Sequence, residues 1–227
     1  MTQKPEIKAV IFDMGGVFLR TMDMRPRAAL ARRYGVTTDE LDHIVFHNPV
    51  AQAAEHGQAT QAEVWQEVGR LLNAPDELDA ELDAEPDAEL DAELDAELAE
   101  IAEQFFAGDR IDFALIDFIR GLRPGRVTAV LSNSWLVDLW QRLQDKWQVP
   151  ADAFDFVISS ASVGLVKPDP RIYWLALERA QVAPEETIFV DDTLINVAGA
   201  AALGIHAIQY HDTPGVIDEI RRVMGEG

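Results

Sequence analysis

Two short apolar runs that each end in an aspartate constrain the fold most strongly. They are KAVIFD at residues 8–13 and TIFVD at residues 187–191. Because successive side chains of a strand point to opposite faces, an unbroken apolar run predicts a strand buried on both faces, as in a parallel sheet covered by helices. Three further runs, RVTAVLSN (126–133), FVIS (156–159) and HAIQ (206–209), extend the pattern to about five strands.

Helical patterns alternate with the later strands. Apolar residues recur at helical spacing over 135–147, and an Ala-rich helix followed by a helix-ending glycine is predicted over 196–203. Residues 170–180 follow Asp169, a good helix-capping residue type, and begin with a proline suited to the first helical position. This alternation predicts an α/β fold with a doubly wound, Rossmann-like parallel sheet of about five strands.

A long segment separates the first two predicted strands. It spans about 110 residues, too many for one crossover, and predicts a helical insertion over 20–110 within an α/β core formed by 1–19 and 111–227. Thr60 and Glu63 have the spacing of a capping box at the start of one insertion helix. The helices predicted in the insertion cover 27–34, 38–46 and 61–72.

Residues 76–100 repeat Glu-Leu-Asp-Ala, with 13 acids and no base. Without them the net charge of −21 would be −8. A four-residue repeat drifts about 40° per repeat around a helix, so the leucines do not form one straight seam. The repeat therefore predicts a poorly anchored helix in two pieces, broken at Pro86. Its functional interpretations are a solvated acidic helix or a site for calcium or a cationic partner.

Charge and composition exclude several classes of function. A net charge of −21 argues against nucleic-acid and anionic-membrane partners, both of which select Lys and Arg clusters. No apolar run reaches the roughly 18 residues of a membrane span, and the N-terminal residues lack the apolar stretch of a signal peptide. The absence of cysteine excludes disulfides and thiolate metal sites and fits a cytoplasmic protein.

Polar residues cluster at the predicted strand ends, where ligands bind in open parallel sheets. They are Asp13, Ser132, Asn133, Asp191 and Asp192, joined by Lys167 from the loop after the third predicted strand. Each alone is ordinary, since an aspartate after a strand often forms a turn or caps a helix. Together, three carboxylates without a soft ligand suit Mg²⁺, and a lysine with a hydroxyl suits phosphoryl oxygens. Positioning and charge neutralisation are what phosphoryl transfer needs, and a carboxylate can act as its nucleophile.

Four strings resemble the four motifs of the haloacid dehalogenase-like superfamily, in family order. They are VIFDMGGVFLR (10–20), LSNSW (131–135), GLVKPDPRIYWLAL (164–177) and IFVDDTLINVAGAAALG (188–204). The resemblance covers about 1–20 and 111–227, and the insertion lies where that family usually carries a helical cap. It extends in particular to the N-terminal domains of soluble epoxide hydrolases and to certain sugar-phosphate phosphatases.

The resemblance implies a role for each matched residue. Asp13 would be the nucleophile and would form an aspartyl-phosphate that water then hydrolyses. Ser132, supported by Asn133, would bind the phosphoryl group, and Lys167 would balance the charge of nucleophile and phosphate. The magnesium ligands would be Asp13, the backbone carbonyl of Gly15, Asp191 and Asp192, with Asn196 supporting them.

Gly15 departs from the family pattern. Most phosphatases of the superfamily carry a second aspartate at this position, which acts as general acid and base, and losing such a group costs about 10²–10⁴-fold in rate. Some relatives with an Asp-x-Gly-Gly/Asn-Val motif keep the glycine. The departure therefore implies a substrate with a good leaving group, a replacement acid from the cap, or a slow enzyme.

The sequence thus predicts a magnesium-dependent phosphohydrolase acting on a small phosphorylated metabolite. One alternative is a 2-haloacid dehalogenase-type carbon–halogen hydrolase, in which Asp13 attacks carbon. Family dehalogenases usually have an aromatic residue where Gly15 stands and need no metal, so Gly15 and the acidic pair favour phosphate. The other alternative is a catalytically weak binding protein that uses 76–100 as an interaction arm.

Overall fold

A computed structural model of the protein describes residues 5–73, 88–123 and 125–226. Its strands are Ala9–Phe12 (β1), Leu19–Thr21 (β2), Asp109–Ile111 (β3), Val127–Ser132 (β4), Phe156–Ser159 (β5), Thr187–Asp191 (β6) and His206–Gln209 (β7). Its α-helices are Arg25–Arg33 (α1), Thr38–Phe46 (α2), Pro49–Glu55 (α3), Gln61–Asn73 (α4), Ala88–Phe106 (α5), Phe113–Leu122 (α6), Leu139–Asp145 (α7), Ser160–Val163 (α8), Pro170–Ala180 (α9), Leu194–Ala201 (α10) and Thr213–Met224 (α11).

Five strands form one parallel sheet in the order β5-β4-β1-β6-β7. In this register Phe12 of β1 stands opposite Val130 of β4 and Val190 of β6. The prediction of an α/β fold with about five parallel strands is therefore confirmed. Two short strands that the apolar pattern did not reveal, β2 and β3, pair with each other.

The sheet is covered by helices on both faces, which explains the unbroken apolar runs. Val10 and Phe12 pack with residues of α6, α7 and α11 in one buried cluster. Ile11, between them, points to the opposite face and packs with residues of α9 and α10. All of β1 is buried, and each fully buried aliphatic or aromatic side chain contributes about 1.5–3 kcal/mol of stability.

The chain divides into two compact units, one of Met1–Arg20, Glu55–Gly57 and Arg110–Gly227, the other of Thr21–Ala54 and Gln58–Asp109. The first unit contains the parallel sheet. The tripeptide Glu55–Gly57, which begins at the last residue of α3, belongs to this unit although it lies within the predicted insertion. The interpretation of the second unit as a cap over a substrate site stays a prediction.

Aromatic rings and the capping box of α4 stabilise the second unit. Phe105 packs against Phe46 and Trp65, with ring centroids 5.5 and 6.5 Å away, and the Arg27 guanidinium lies 4.0 Å from its ring centroid. The predicted capping box of α4 is present, since the backbone N–H of Glu63 donates to the Thr60 hydroxyl and that of Thr60 donates to the Glu63 carboxylate.

The acidic repeat is only partly among the described residues. Residues 76–87, with the predicted break at Pro86, lie outside them, whereas Ala88–Phe106 is helical. For 96–100 the prediction of a poorly anchored helix is wrong. Leu98 is buried, the Tyr34 hydroxyl donates to Glu97 at 2.8 Å, and Arg33 donates to Glu100 at 2.8 Å.

Two predicted helices of the core have different bounds. The helix predicted over 135–147 is the shorter α7, because the preceding residues form a loop held by side-chain hydrogen bonds. The helix predicted over 196–203 begins two residues earlier, at Leu194, and ends at Ala201. Within the described part of the chain, no helix combines the length and apolar character needed to cross a membrane.

Candidate active site

Asp13 is placed by the register of the central strand. Its backbone N–H donates to the carbonyl of Val190 at 2.8 Å, which continues the pairing of β1 with β6 beyond the last residue of β1. Asp191 ends β6 one residue after Val190. Because parallel strands present their carboxyl ends at one edge, the two aspartates lie side by side at that edge of the sheet.

Lys167 lies between these two carboxylates. Its Nζ is 2.9 Å from Asp13 Oδ1 and 2.6 Å from Asp191 Oδ2, and its side chain is 1% exposed. Burial alone would lower the pKa of Lys167, but the charges of Asp13 and Asp191 outweigh burial and raise it. The lysine is therefore a fixed cation in this cluster.

Asn133 holds the loop that carries Lys167. Its Oδ1 accepts from the Lys167 backbone N–H at 2.8 Å, and its Nδ2 donates to the Lys167 carbonyl at 3.0 Å. Both hydrogen bonds use backbone atoms, so they fix the position of the chain at Lys167. The structure thus shows Asn133 joining the end of β4 to the lysine loop.

Asp191 is fully buried, and both of its carboxylate oxygens accept hydrogen bonds. The Thr193 backbone N–H donates to Oδ1 at 2.8 Å, and Asn196 Nδ2 lies 3.2 Å from each oxygen. Asn196 is in turn held through its backbone carbonyl, which accepts a hydrogen bond from the buried Tyr173 hydroxyl at 2.8 Å. The start of α10 therefore orients this carboxylate.

Asp192 approaches the turn after β1 closely. Gly16 in that turn has φ +72°, and a Cβ on it would stand 2.0 Å from Asp192 Oδ2. The backbone conformation therefore favours glycine, and a side chain at this position would displace the Asp192 carboxylate. Although Asp192 is exposed, partial burial and the charge of Asp191 raise its pKa.

The three aspartates form one candidate metal site. One carboxylate oxygen from each of Asp13, Asp191 and Asp192 lies within 4.8 Å of the others. Burial raises the pKa of Asp13 to about 6 despite the opposing charge of Lys167. Three crowded carboxylates against one ammonium group leave excess negative charge, and oxygen ligands of this kind fit Mg²⁺.

The remaining predicted site residues lie at the same strand ends. Ser132 ends β4 and is 2% exposed, and its hydroxyl donates a long hydrogen bond of 3.5 Å to the Asn133 carbonyl. Gly15 follows Asp13 by two residues, and a Cβ built on it would have no atom within 4 Å. The phosphate role of Ser132 and the metal role of the Gly15 carbonyl stay predictions.

Sequence patterns missed a set of serines and one carboxylate near the site. Ser159 and Ser160 donate through their hydroxyls to the Ser134 carbonyl at 3.1 and 3.2 Å, which holds the loop after β4. Glu55, at the end of α3, lies within electrostatic range of Lys167 and Asp13. The run of serines near the strand ends was a usable signal, whereas the position of Glu55 depends on tertiary structure.

Comparison with known proteins identifies a family. The family model described as haloacid dehalogenase-like hydrolase matches residues 7–204. Bifunctional epoxide hydrolase 2 of Rattus norvegicus is 31% identical over 131 residues, which cover 56% of this chain and 24% of the relative. The match therefore spans about a quarter of the length of that relative.

Other relatives match at full length or over short segments. The sesquiterpene phosphatase astK of Aspergillus oryzae is 26% identical over 221 residues, covering 96% of this chain and 97% of the relative. The (S)-2-haloacid dehalogenase 1 of a Pseudomonas species is 36% identical over 60 residues, 26% of each chain. Both phosphatases and dehalogenases are thus among the similar proteins.

Solved structures share the fold. A haloacid dehalogenase family enzyme of Bacteroides thetaiotaomicron, crystallised in complex with magnesium and inorganic phosphate, has a TM-score of 0.66 at 22% identity. The alignment covers 92% of this chain and 98% of that enzyme.

Proposed function

The chain belongs to the haloacid dehalogenase-like hydrolases, and from this premise we propose that it is a magnesium-dependent phosphatase with Asp13 as nucleophile. One observation carries the proposal: the carboxylates of Asp13, Asp191 and Asp192 lie within 4.8 Å of one another. Lys167 bridges two of them. This combination of hard anionic ligands with one buried cation suits a dianionic phosphate better than a neutral carbon centre.

Asp13 is held in an orientation suited to attack. Its Oδ1 accepts from the Met14 backbone N–H at 2.7 Å and lies 2.9 Å from Lys167 Nζ. Fixing one oxygen sets the direction of the whole carboxylate, so little reorganisation is needed when it attacks phosphorus. The bond to the leaving oxygen breaks as the bond from Asp13 to phosphorus forms, which gives an aspartyl-phosphate.

The residues that would hold magnesium are Asp13, Asp191, Asp192 and the carbonyl of Gly15. When bound, the ion would neutralise charge on the carboxylates and phosphoryl oxygens and so permit one anion to approach another. Mg²⁺ commonly binds through a few carboxylates together with substrate phosphate, and the exposed carboxylate of Asp192 leaves the cluster open on one side.

Lys167, Ser132 and Asn133 serve the phosphoryl group in this proposal. Lys167 offsets charge on Asp13 and on a phosphoryl oxygen, while the Ser132 hydroxyl donates to a second phosphoryl oxygen. Asn133 positions both, because it follows Ser132 and is hydrogen-bonded to the Lys167 backbone. Water then attacks phosphorus, the bond to Asp13 breaks, and inorganic phosphate leaves.

The proposed substrate is a small organic phosphate. The relative that matches over nearly the whole chain is named as a sesquiterpene phosphatase, so prenyl phosphates belong in the substrate panel beside sugar phosphates. A dehalogenase relative keeps carbon–halogen hydrolysis as the second candidate. The acidic cluster and Gly15 favour phosphate over this second candidate.

The test is release of inorganic phosphate from this panel with Mg²⁺ and with EDTA. We expect release that requires Mg²⁺ and is lost in Asp13→Asn, a variant of nearly the same shape without the nucleophilic charge. Halide release from 2-haloacids is measured in parallel. Metal-independent halide release without phosphate release would establish the dehalogenase activity instead.

A further inference from the structure

The space beside the nucleophile lacks the second carboxylate that most phosphatases of this family carry. Gly15 occupies that position, and no atom lies within 4 Å of a Cβ placed on it. We propose that Glu55, which approaches the site from the end of α3, is the general acid and base of the phosphatase reaction. This inference rests on the phosphatase function proposed above.

Glu55 is fixed to the same compact unit as the nucleophile. The tripeptide Glu55–Gly57 clusters with the parallel sheet, whereas the residues on either side of it cluster with the other helices. Gly57 has φ +69°, and a Cβ on it would stand 2.4 Å from the carbonyl oxygen of Ala161 in α8. The glycine therefore allows the backbone after Glu55 to lie directly against α8.

The contact of Gly57 with α8 brings the backbone that follows Glu55 close to the loop after β4. Ala161 donates through its backbone N–H to the Ser134 carbonyl at 3.2 Å, and Ser134 follows the proposed phosphate-binding residues Ser132 and Asn133. A short chain of backbone contacts thus connects the tripeptide to the loop that bears the phosphate ligands. The backbone that follows Glu55 is therefore packed in place beside this loop.

Glu55 interacts electrostatically with two residues of the proposed reaction centre. The charged and titratable groups that act on it are His56, Lys167 and Asp13. Burial raises the pKa of Glu55, and His56 and Lys167 oppose that effect. A raised pKa favours a carboxyl group that can hold a proton and release it during the reaction.

If Glu55 had a purely structural role, its carboxylate would be expected to form a hydrogen bond or an ion pair with another residue. Among the described residues, 5–73, 88–123 and 125–226, no hydrogen bond or ion pair involves its carboxylate. It also ends a helix, where a negative charge is unfavourable because the helix dipole is negative there. A half-buried carboxyl group with a raised pKa that no other side chain among the residues the structure describes engages is typical of a group that acts on substrate.

Glu55 would donate a proton in the first step of the reaction and take one up in the second. In the first step Glu55 gives its proton to the leaving oxygen as the bond from that oxygen to phosphorus breaks and the bond from Asp13 forms. In the second step the Glu55 carboxylate takes a proton from water as the water oxygen attacks phosphorus and the Asp13–phosphorus bond breaks. The ester and water become alcohol and phosphate, and Glu55 is protonated again.

Leaving-group dependence separates this role from a structural one. With an alkyl phosphate, Glu55→Gln should lose about 10²–10⁴-fold in kcat. With 2,4-dinitrophenyl phosphate, whose leaving group needs no proton, Glu55→Gln should keep a fast first turnover followed by slow steady-state release. The reason is that hydrolysis of phosphorylated Asp13 is slow without Glu55 to take the proton from water, so the phosphorylated protein accumulates.

The matched control is Glu178→Gln, on the exposed face of α9, which should behave as the unmodified protein. A second variant, Glu55→Gln with Gly15→Asp, should recover activity toward the alkyl phosphate because it restores an acid at the open position. Equal loss with both substrates, without a fast first turnover, would overturn the role of Glu55. So would activity equal to that of Glu178→Gln. Absence of phosphate release from the unmodified protein would instead refute the phosphatase function, and this role with it.

Discussion

The contact between Gly16 and Asp192 shows how the backbone conformation of one turn positions a carboxylate of the proposed metal site. The turn after β1 needs a positive φ at Gly16, and the Asp192 carboxylate fills the space that a side chain would take. Asp192 is the outermost of the three aspartates, and it alone is exposed. Its position therefore depends on the absence of a Cβ at residue 16.

Gly16→Ala should move the Asp192 carboxylate and weaken magnesium binding. We expect the half-saturating Mg²⁺ concentration for phosphate release to rise about 10–100-fold, the range seen when residues supporting a metal ligand are changed. Gly35→Ala is the matched control, because Gly35 has φ +71° but no atom within 4 Å of a Cβ. Equal magnesium dependence in the two variants would contradict a metal site that depends on the close approach of Gly16 and Asp192.

Most residues of the candidate site could be predicted because they end strands. Asp13 and Asp191 follow apolar runs directly, so their positions depend only on the sheet being parallel. Lys167 is uninformative alone, since a lysine before a proline carries no pattern of its own, and it became a candidate only together with the carboxylates and the hydroxyl. Glu55 could not be predicted, because its approach to the site depends on how the end of α3 packs against α8.

At the scale of elements, strands were easier to predict than helix bounds. An unbroken apolar run is stable only where both faces of the strand are buried, as in the interior of a covered sheet. Each of the five predicted runs contains a strand of the sheet. The helix predicted over 135–147 loses its first turn because Ser134 uses its backbone and hydroxyl in loop hydrogen bonds. Side-chain hydrogen bonds of this kind compete with helix formation and are not visible in apolar periodicity.

The capping box of α4 gives a prediction for the stability of the second unit. Thr60→Ala removes the acceptor of the Glu63 backbone N–H and should lower the free energy of unfolding by about 0.5–2 kcal/mol. Thr38→Ala is the control, since the Thr38 hydroxyl makes no hydrogen bond in the described part of the chain, and it should change stability by less than about 0.5 kcal/mol. Urea unfolding measures both, and an equal loss in the two variants would contradict the capping role.

At the scale of the whole molecule, negative charge dominates both the surface and the site. The net charge of −21 comes largely from the acidic repeat, while the site itself holds three carboxylates against Lys167. Crowded carboxylates destabilise the fold by mutual repulsion, which a bound cation relieves. The folded protein should therefore be more stable with magnesium than without it.

Thermal unfolding tests this expectation. Mg²⁺ at a hundred times its dissociation constant should stabilise the protein by about 2.7 kcal/mol and raise its Tm. Asp192→Asn should lose most of this increase, and NaCl at matched ionic strength should not reproduce it. An equal increase with NaCl would indicate screening of the acidic surface in place of a bound ion.

Phosphorylation of Asp13 is tested most directly by rapid acid quenching with a ³²P-labelled substrate and peptide mapping. Within the first turnover, label should appear on the peptide that contains Asp13 and should be absent from Asp13→Asn. Phosphate released in that turnover without any label on the protein, or with label on another residue, would contradict Asp13 as the nucleophile.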